Sequence, residues 1–392
     1  MTDSRFTRGA PRVEVVAADD THAAALAEFF RVVWNSPATA ESVVESRATL
    51  AADNVAEPGV PPPTWIAVRA GRVLGYVTTV PVRLWDGQGD RPAYLIKGLM
   101  VLPEMRNGPI GYSVLKAASA RLPRTAGLAV APAARRLFEA LGYSDLGAIP
   151  NAILPLSPQR LLMRVDVTGL GIAGLPSWLG PAMRLAQSSR IAAAAGWAGG
   201  LLLRASAAAL RLPAMSREAA PLAVLPSPEE LDALWKRVAG DGFPASVVRD
   251  SKHLLQRYGT GEGSPYLWVG VREQHVLTAV AILRRPRPDG DPRLRGIRLA
   301  VLSDLLYPLT RPATGLALLG AAEREARRLD ADVLLASASA PSLQSLLRRQ
   351  CYLPISGNVH FLFRDVADDS AFRQPLSGWW LTRGDGFADE VF

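Results

Sequence analysis

Two stretches of this chain, residues 12–155 and 222–365, run through the same order of elements. That duplication limits the fold more than any single motif does. The first stretch reads as a strand, RVEVV, then a helix HAAALAEFFRVVWN with Thr21 as its N-cap, then a second helix near 38–54. A hairpin follows, TWIAVRA and RVLGYVTTVPVRLW, turning at Ala70-Gly71. Next come the strand AYLIKGLMVLP, a helix to about Leu122, the strand AGLAVAP, the helix AARRLFEALGY and a closing strand near 146–155. The second stretch opens on a helix with a capping-box pattern, Ser227 with Glu230. It then gives hairpin, strand, helix, strand, helix and strand again. The expected class is α/β, with mixed sheets flanked by helices. Segments 1–160 and 221–392 form tandem domains, joined by a basic helical linker at 161–220.

Length agrees, because 392 residues exceed one ordinary core. The single cysteine, Cys351, excludes a disulfide framework and a thiolate metal cluster. The histidines 22, 253, 275 and 360 lie far apart, so no metal is expected. The N-terminal residues lack the apolar core of a signal peptide, and no apolar run reaches about 18 residues. A cytoplasmic protein is the expectation. The formal charge of +8 reflects either an arginine-rich composition or a polyanionic partner such as a nucleotide, tRNA or acidic lipid. Residues 167–217 contain no acid and carry Arg184, Arg190, Arg204, Arg211 and Arg217. They read as cationic amphipathic helices: a packed linker, a peripheral contact with anionic membrane, or a substrate lid.

The stretch with the most chemistry is RNGPIG, Arg106 to Gly111, between an apolar strand and a helix. The first N–H groups of a helix lack internal partners and form an anion site. Asn107, Gly108, Ile110 and Gly111 can offer N–H groups and Arg106 a charge. Pro109 has no N–H, but its φ suits a helix start.

This strand-turn-helix unit, with the later AARRLFEALGY, resembles the GNAT (N-acetyltransferase) superfamily, whose pyrophosphate loop runs Q/R-x-x-G-x-G/A. The tandem arrangement resembles mycothiol-synthase-like members, and the ending GWWLTRGDGFADEVF resembles the tails of GNAT-like proteins associated with polysaccharide biosynthesis. The resemblance implies a donor, acyl-CoA or a phosphopantetheine thioester on an acyl carrier protein. Backbone at Leu99, Met100 and Val101 would pair with the pantetheine amides, and the turn would hold the pyrophosphate. It implies an amine acceptor, either a small molecule or a sugar. The alternatives are a Fem-like transferase using aminoacyl-tRNA and a non-catalytic GNAT-derived binding protein.

The chain departs from that pattern. Pro109 stands for a glycine, and Phe138 falls where the catalytic tyrosine is expected. No carboxylate stands at 93–101, where Lys97 and Tyr94 are the only ionisable side chains. The second repeat has YPLTRPATG without the glycine spacing, and Leu347 and Cys351 replace the later tyrosine and glycine. It does place Asp304 at the end of an apolar strand, with Tyr307 nearby. Asp304 is expected to anchor or deprotonate the acceptor amine, or to pair with Arg311. Lys97, Tyr307 and the tail residues Arg383, Asp385 and Asp389 complete the candidates.

Overall fold

The structure, a computed structural model, describes residues 12–164, 219–259, 263–291, 294–367 and 370–391, with a few isolated positions between 185 and 199. The cationic stretch 167–217 therefore lies almost wholly outside the described residues, and with it the expected membrane contact.

In chain order the first elements are β1 (Glu14–Ala17), α1 (Ala23–Trp34), α2 (Ala40–Ala52), β2 (Thr64–Arg69), β3 (Arg72–Trp85) and β4 (Asp90–Val101). Then come α3 (Ile110–Arg121), β5 (Arg124–Leu128), α4 (Pro132–Ala140), β6 (Ser144–Pro155) and α5 (Pro158–Arg164). The rest of the chain supplies β7 (Ala219–Pro221), α6 (Pro228–Gly240), β8 (Ala245–Val247), α7 (Ser251–Tyr258), β9 (Tyr266–Glu273) and β10 (Val276–Arg284). It ends with β11 (Leu299–Leu306), α8 (Pro312–Arg328), β12 (Val333–Ser337), α9 (Pro341–Arg349), β13 (Leu353–Asp365) and β14 (Trp379–Trp380).

Two compact units result, and their boundaries differ from a cut between the repeats. The first comprises the chain up to Val82, Pro92–Asp145 and a short return starting at Leu362. The second comprises Arg83–Arg91, Leu146–Phe361 and the C-terminal tail. Most of the first repeat's closing strand, β6, belongs to the second unit. There it pairs antiparallel with β12, from Asn151↔Ser337 to Pro155↔Val333.

In the first unit β1 pairs with β2, and β2 with β3, both antiparallel. The hairpin turns where sequence places it: Ala70 and Gly71 take φ of 50° and 79°, as a tight primed turn needs. Helix α1 ends at Asn35, whose left-handed φ of 50° closes it. Its start is not capped by Thr21. The Asp19 side chain accepts from the Thr21 N–H and forms a 3₁₀ turn ahead of the helix. Leu26 and Phe29 of α1, Ile66 and Val77 of the sheet, and Val114 and Leu115 of α3 form one core. Each such side chain contributes about 1.5–3 kcal/mol on burial.

In the second unit β9, β10 and β11 are antiparallel neighbours, and β11 runs parallel to β12. The capping box at Ser227 and Glu230 forms as expected. Helix α8 is buried along most of its length. Gly315 gives close packing there: a Cβ would come within 2.8 Å of Leu346 and 3.0 Å of the Tyr307 ring, so both would have to give way.

Candidate functional site

In the first unit β4 and β5 pair only at Tyr94↔Thr125 and Leu95↔Ala126. Beyond that point β4 runs on to Val101 and β5 to Leu128 without pairing to each other, so the sheet opens into a cleft. Gly98 makes a kink in β4, with φ of 65°. Glycine is needed there both for that angle and for space. A Cβ would lie 3.2 Å from the Tyr76 ring and 3.6 Å from Trp34. Leu99, Met100 and Val101 follow, half-buried along the open edge. Lys97 is exposed beside the kink.

At the mouth of this cleft stands the start of α3. Pro109 is its N-cap at φ −79°, with no side-chain cap. Ser113 N–H donates to the Pro109 carbonyl at 2.9 Å. The N–H groups of Ile110, Gly111 and Tyr112 have no partner among the described residues, and neither has that of Asn107. Gly108, expected to donate outward, does not: its N–H is spent on the Met105 carbonyl at 3.1 Å, which closes the turn. Tyr112 takes its place, a donor that sequence reasoning missed although an uncapped helix always leaves it. Arg106 is exposed beside the turn. The one acid of the turn, Glu104, is countered by Arg72 at 2.9 Å.

Phe138 is buried edge-on against Tyr143. It supplies no proton, as its sequence implies. Tyr76, not singled out from sequence, lines a cavity of about 250 Å³ between α1, α2, β2 and β3. The residue alternates onto the α1 face of β3, where it packs against Phe29, Phe30 and Trp34.

Asp304 and Tyr307 are placed in the interior of the second unit. Asp304 does not meet Arg311, which pairs with Glu273. Its carboxylate accepts from Arg249 Nε at 2.9 and 3.1 Å. The same guanidinium donates through Nη2 to both oxygens of Asp385, at 2.9 and 2.8 Å, and through Nη1 to the Val247 carbonyl. Thr382 donates its N–H and hydroxyl to Asp385. All three charged residues are buried. Burial raises the Asp385 carboxyl to about 6, with the Asp304 charge adding to the effect and Arg249 opposing it. Burial also lowers His253 to about 3, reinforced by Arg249. Tyr307 packs on Trp380, and burial pushes its phenol up. Of the other tail candidates, Asp389 accepts from Arg257 at 2.6 Å. Arg383 donates to the Ala388 carbonyl.

These contacts show what became of the second unit's equivalent cleft. Strands β11 and β12 pair through Leu302↔Ala336 and then part. The C-terminal tail bonds to both sides beyond that point. On the β12 side, Leu381 N–H donates to Ser339 Oγ at 2.7 Å and Ser339 N–H to the Leu381 carbonyl at 3.2 Å. On the β11 side Gly384 sits so close that a Cβ would be 2.7 Å from the Ser303 carbonyl. The gap is filled by the chain itself.

Among the described residues no cluster of acidic, histidine or cysteine side chains could hold a metal ion. No described helix is long and apolar enough to cross a membrane. No protein-family profile matches the sequence, and no curated protein resembles it in sequence. The fold does match solved structures. A GCN5-related N-acetyltransferase from Anabaena variabilis aligns with TM-score 0.53 at 14% identity, over 91% of this chain and 73% of the other. A probable N-acyltransferase of unknown function from Enterococcus faecalis gives 0.55 at 10%, over 91% and 73%. The N-myristoyltransferase of Saccharomyces cerevisiae with bound myristoyl-CoA gives 0.53 at 13%, over 90% and 79%. The fold is thus that of GNAT N-acetyltransferases.

Proposed function

We propose that the chain is an N-acyltransferase that moves an acyl group from acyl-CoA to an amine, with its donor site in the first unit. The observation that carries this reading is the parted β4–β5 cleft with unpaired N–H groups of Ile110, Gly111 and Tyr112 at its mouth. A pyrophosphate suits that cradle, since backbone donors and the helix dipole both favour anionic oxygen. Arg106 adds charge beside it. The extended backbone at Leu99, Met100 and Val101 can pair with pantetheine amides. The cradle favours CoA over a carrier protein, whose phosphopantetheine brings one phosphate instead of a pyrophosphate.

In the reaction an amine nitrogen bonds to the thioester carbon, the C–S bond breaks, and CoA leaves as thiolate. A β4 N–H polarises the carbonyl oxygen, and most of the rate comes from holding the amine against the carbon. The amine arrives as ammonium and must lose a proton before it attacks, and water in the cleft can take that proton. A thiol with a pKa near 8.5, the usual value for such groups, leaves without strong acid assistance. Phenylalanine at 138 is therefore compatible with turnover. The second unit's own cleft is closed by the tail.

The test is release of free CoA thiol from acyl-CoA donors of different chain length, with a panel of amines. Thiol release that depends on the amine and yields the corresponding amide is expected. Tight CoA binding with no amine-dependent release would instead leave a donor-binding protein without transferase activity.

A further inference from the structure

The cavity behind Tyr76 has one charged wall. Arg47, from α2, is largely buried, with 17% of its side chain exposed. Its Nε donates to Asp20 at 3.0 Å, a carboxylate that is itself 65% exposed. Its two Nη groups have no partner among the described residues. Across the cavity Thr64 and Thr78 share a hydroxyl hydrogen bond of 2.8 Å. Burial pushes the Tyr76 phenol up, while the Thr78 hydroxyl and the Arg47 charge pull it back, so the guanidinium acts on the same space. The remaining wall mixes apolar side chains, Leu26, Phe30 and Val43 among them, with Ser36, Ser42 and Ser46.

We propose that this pocket holds the acceptor by an anionic end: an amine carrying a carboxylate or phosphate that pairs with the Nη groups of Arg47. The inference rests on the acyltransferase reading for its amine. The anion site itself rests on the guanidinium. The Nη donors have no protein partner among the described residues and stay open to solvent in the pocket, so an anion can take them by displacing water. A planar two-oxygen anion matches that fork better than water does. Tyr76 gives the link to the reaction. It lines the pocket on one side and packs against the Gly98 kink on the other, so one aromatic side chain separates the anion site from the open edge of β4. An acceptor with its anion at Arg47 and a short apolar spacer over Phe30 and Tyr76 directs its amine toward the thioester. An amine without an anionic group leaves the Arg47 Nη donors to water.

The test is a binding titration with 4-aminobutyrate, phosphoethanolamine and butylamine on wild type, Arg47→Met and Arg47→Lys, with CoA titrated in parallel. One of the two anions is expected to bind wild type at least ~10-fold more tightly than Arg47→Met, given the usual size of a charge-assisted hydrogen bond. Arg47→Lys should restore part of that, and butylamine should not discriminate. Which anion wins separates a carboxylate acceptor from a phosphate one. Equal binding to wild type and Arg47→Met, or binding of neither anion, overturns the proposal. The CoA arm reads the donor site separately, so unchanged CoA affinity in Arg47→Met with no anion binding would refute the acceptor site alone. Unfolding curves for each variant distinguish lost binding from lost packing.

Discussion

Gly111→Asp is expected to weaken CoA binding by at least ~100-fold, about 2.7 kcal/mol. Gly111 is the second residue of α3, with an N–H free to meet a ligand. An aspartate there acts twice. Its carboxylate competes for the N–H groups of the same turn, as acidic caps do. It also sets a negative charge within a few ångström of the phosphates, and like charges at about 4 Å cost several kcal/mol where water is partly excluded. Gly111→Ala is the control. A Cβ at this position would sit 3.4 Å from Val101 and 3.7 Å from Leu137, at or just beyond the edge of ordinary contact. The alanine variant should fold and bind CoA within a few-fold of wild type. Calorimetry on the three proteins checks this. Equal affinity in Gly111→Asp would move the pyrophosphate away from this turn.

The largest stability effect is expected at Arg249, a residue distant from that turn in sequence. Arg249→Met should destabilise the protein by about 3–5 kcal/mol, the usual cost of leaving buried charge uncompensated. Both Asp304 and Asp385 would lose their common partner, and the tail would lose its link to β11. Against a total stability of about 5–15 kcal/mol that is a large share, readable by urea unfolding. Its pH dependence has a definite sign. Asp385 titrates at about 6 in the folded chain, against an ordinary 3.8. The native state therefore holds a proton that the unfolded state has released across that window. Its contribution is present below 3.8 and lost as pH rises through about 6. His253 has the opposite sign, since its folded value falls to about 3 from 6.5 and its contribution is lost as pH drops. Comparing Asp385→Asn with wild type cancels the histidine. The variant should gain on wild type with rising pH between 3.8 and about 6, by up to ~1.4 kcal/mol per unit. A difference flat with pH would mean that Asp385 is ionised throughout.

The features that sequence made visible are local ones. The Ala70-Gly71 turn, the Ser227–Glu230 capping box and the alternation of strands depend on neighbours a few residues apart. The Arg106–Gly111 turn could be read for the same reason. The error at Gly108 arose because a tight turn can spend an N–H internally, which spacing does not reveal. The partner of Asp304 was not legible. Arg249 stands 55 residues before it and Asp385 lies 136 residues beyond Arg249, so only the packed fold brings them together. Arg311, the next arginine along the chain, was a reasonable but wrong choice. Tyr76 and Arg47 were missed for a related reason. Each reads as an ordinary strand or helix residue until α2 is laid against the sheet. The closure of the second cleft could be suspected from the missing glycines in YPLTRPATG, but not the identity of the segment that closes it.

The most direct measurement is the number of CoA molecules bound per chain at saturation. One is expected, held by the cleft of the first unit, because the tail from Trp379 onward occupies the second. No binding at all, or a second equivalent that binds without displacing the tail, would contradict it.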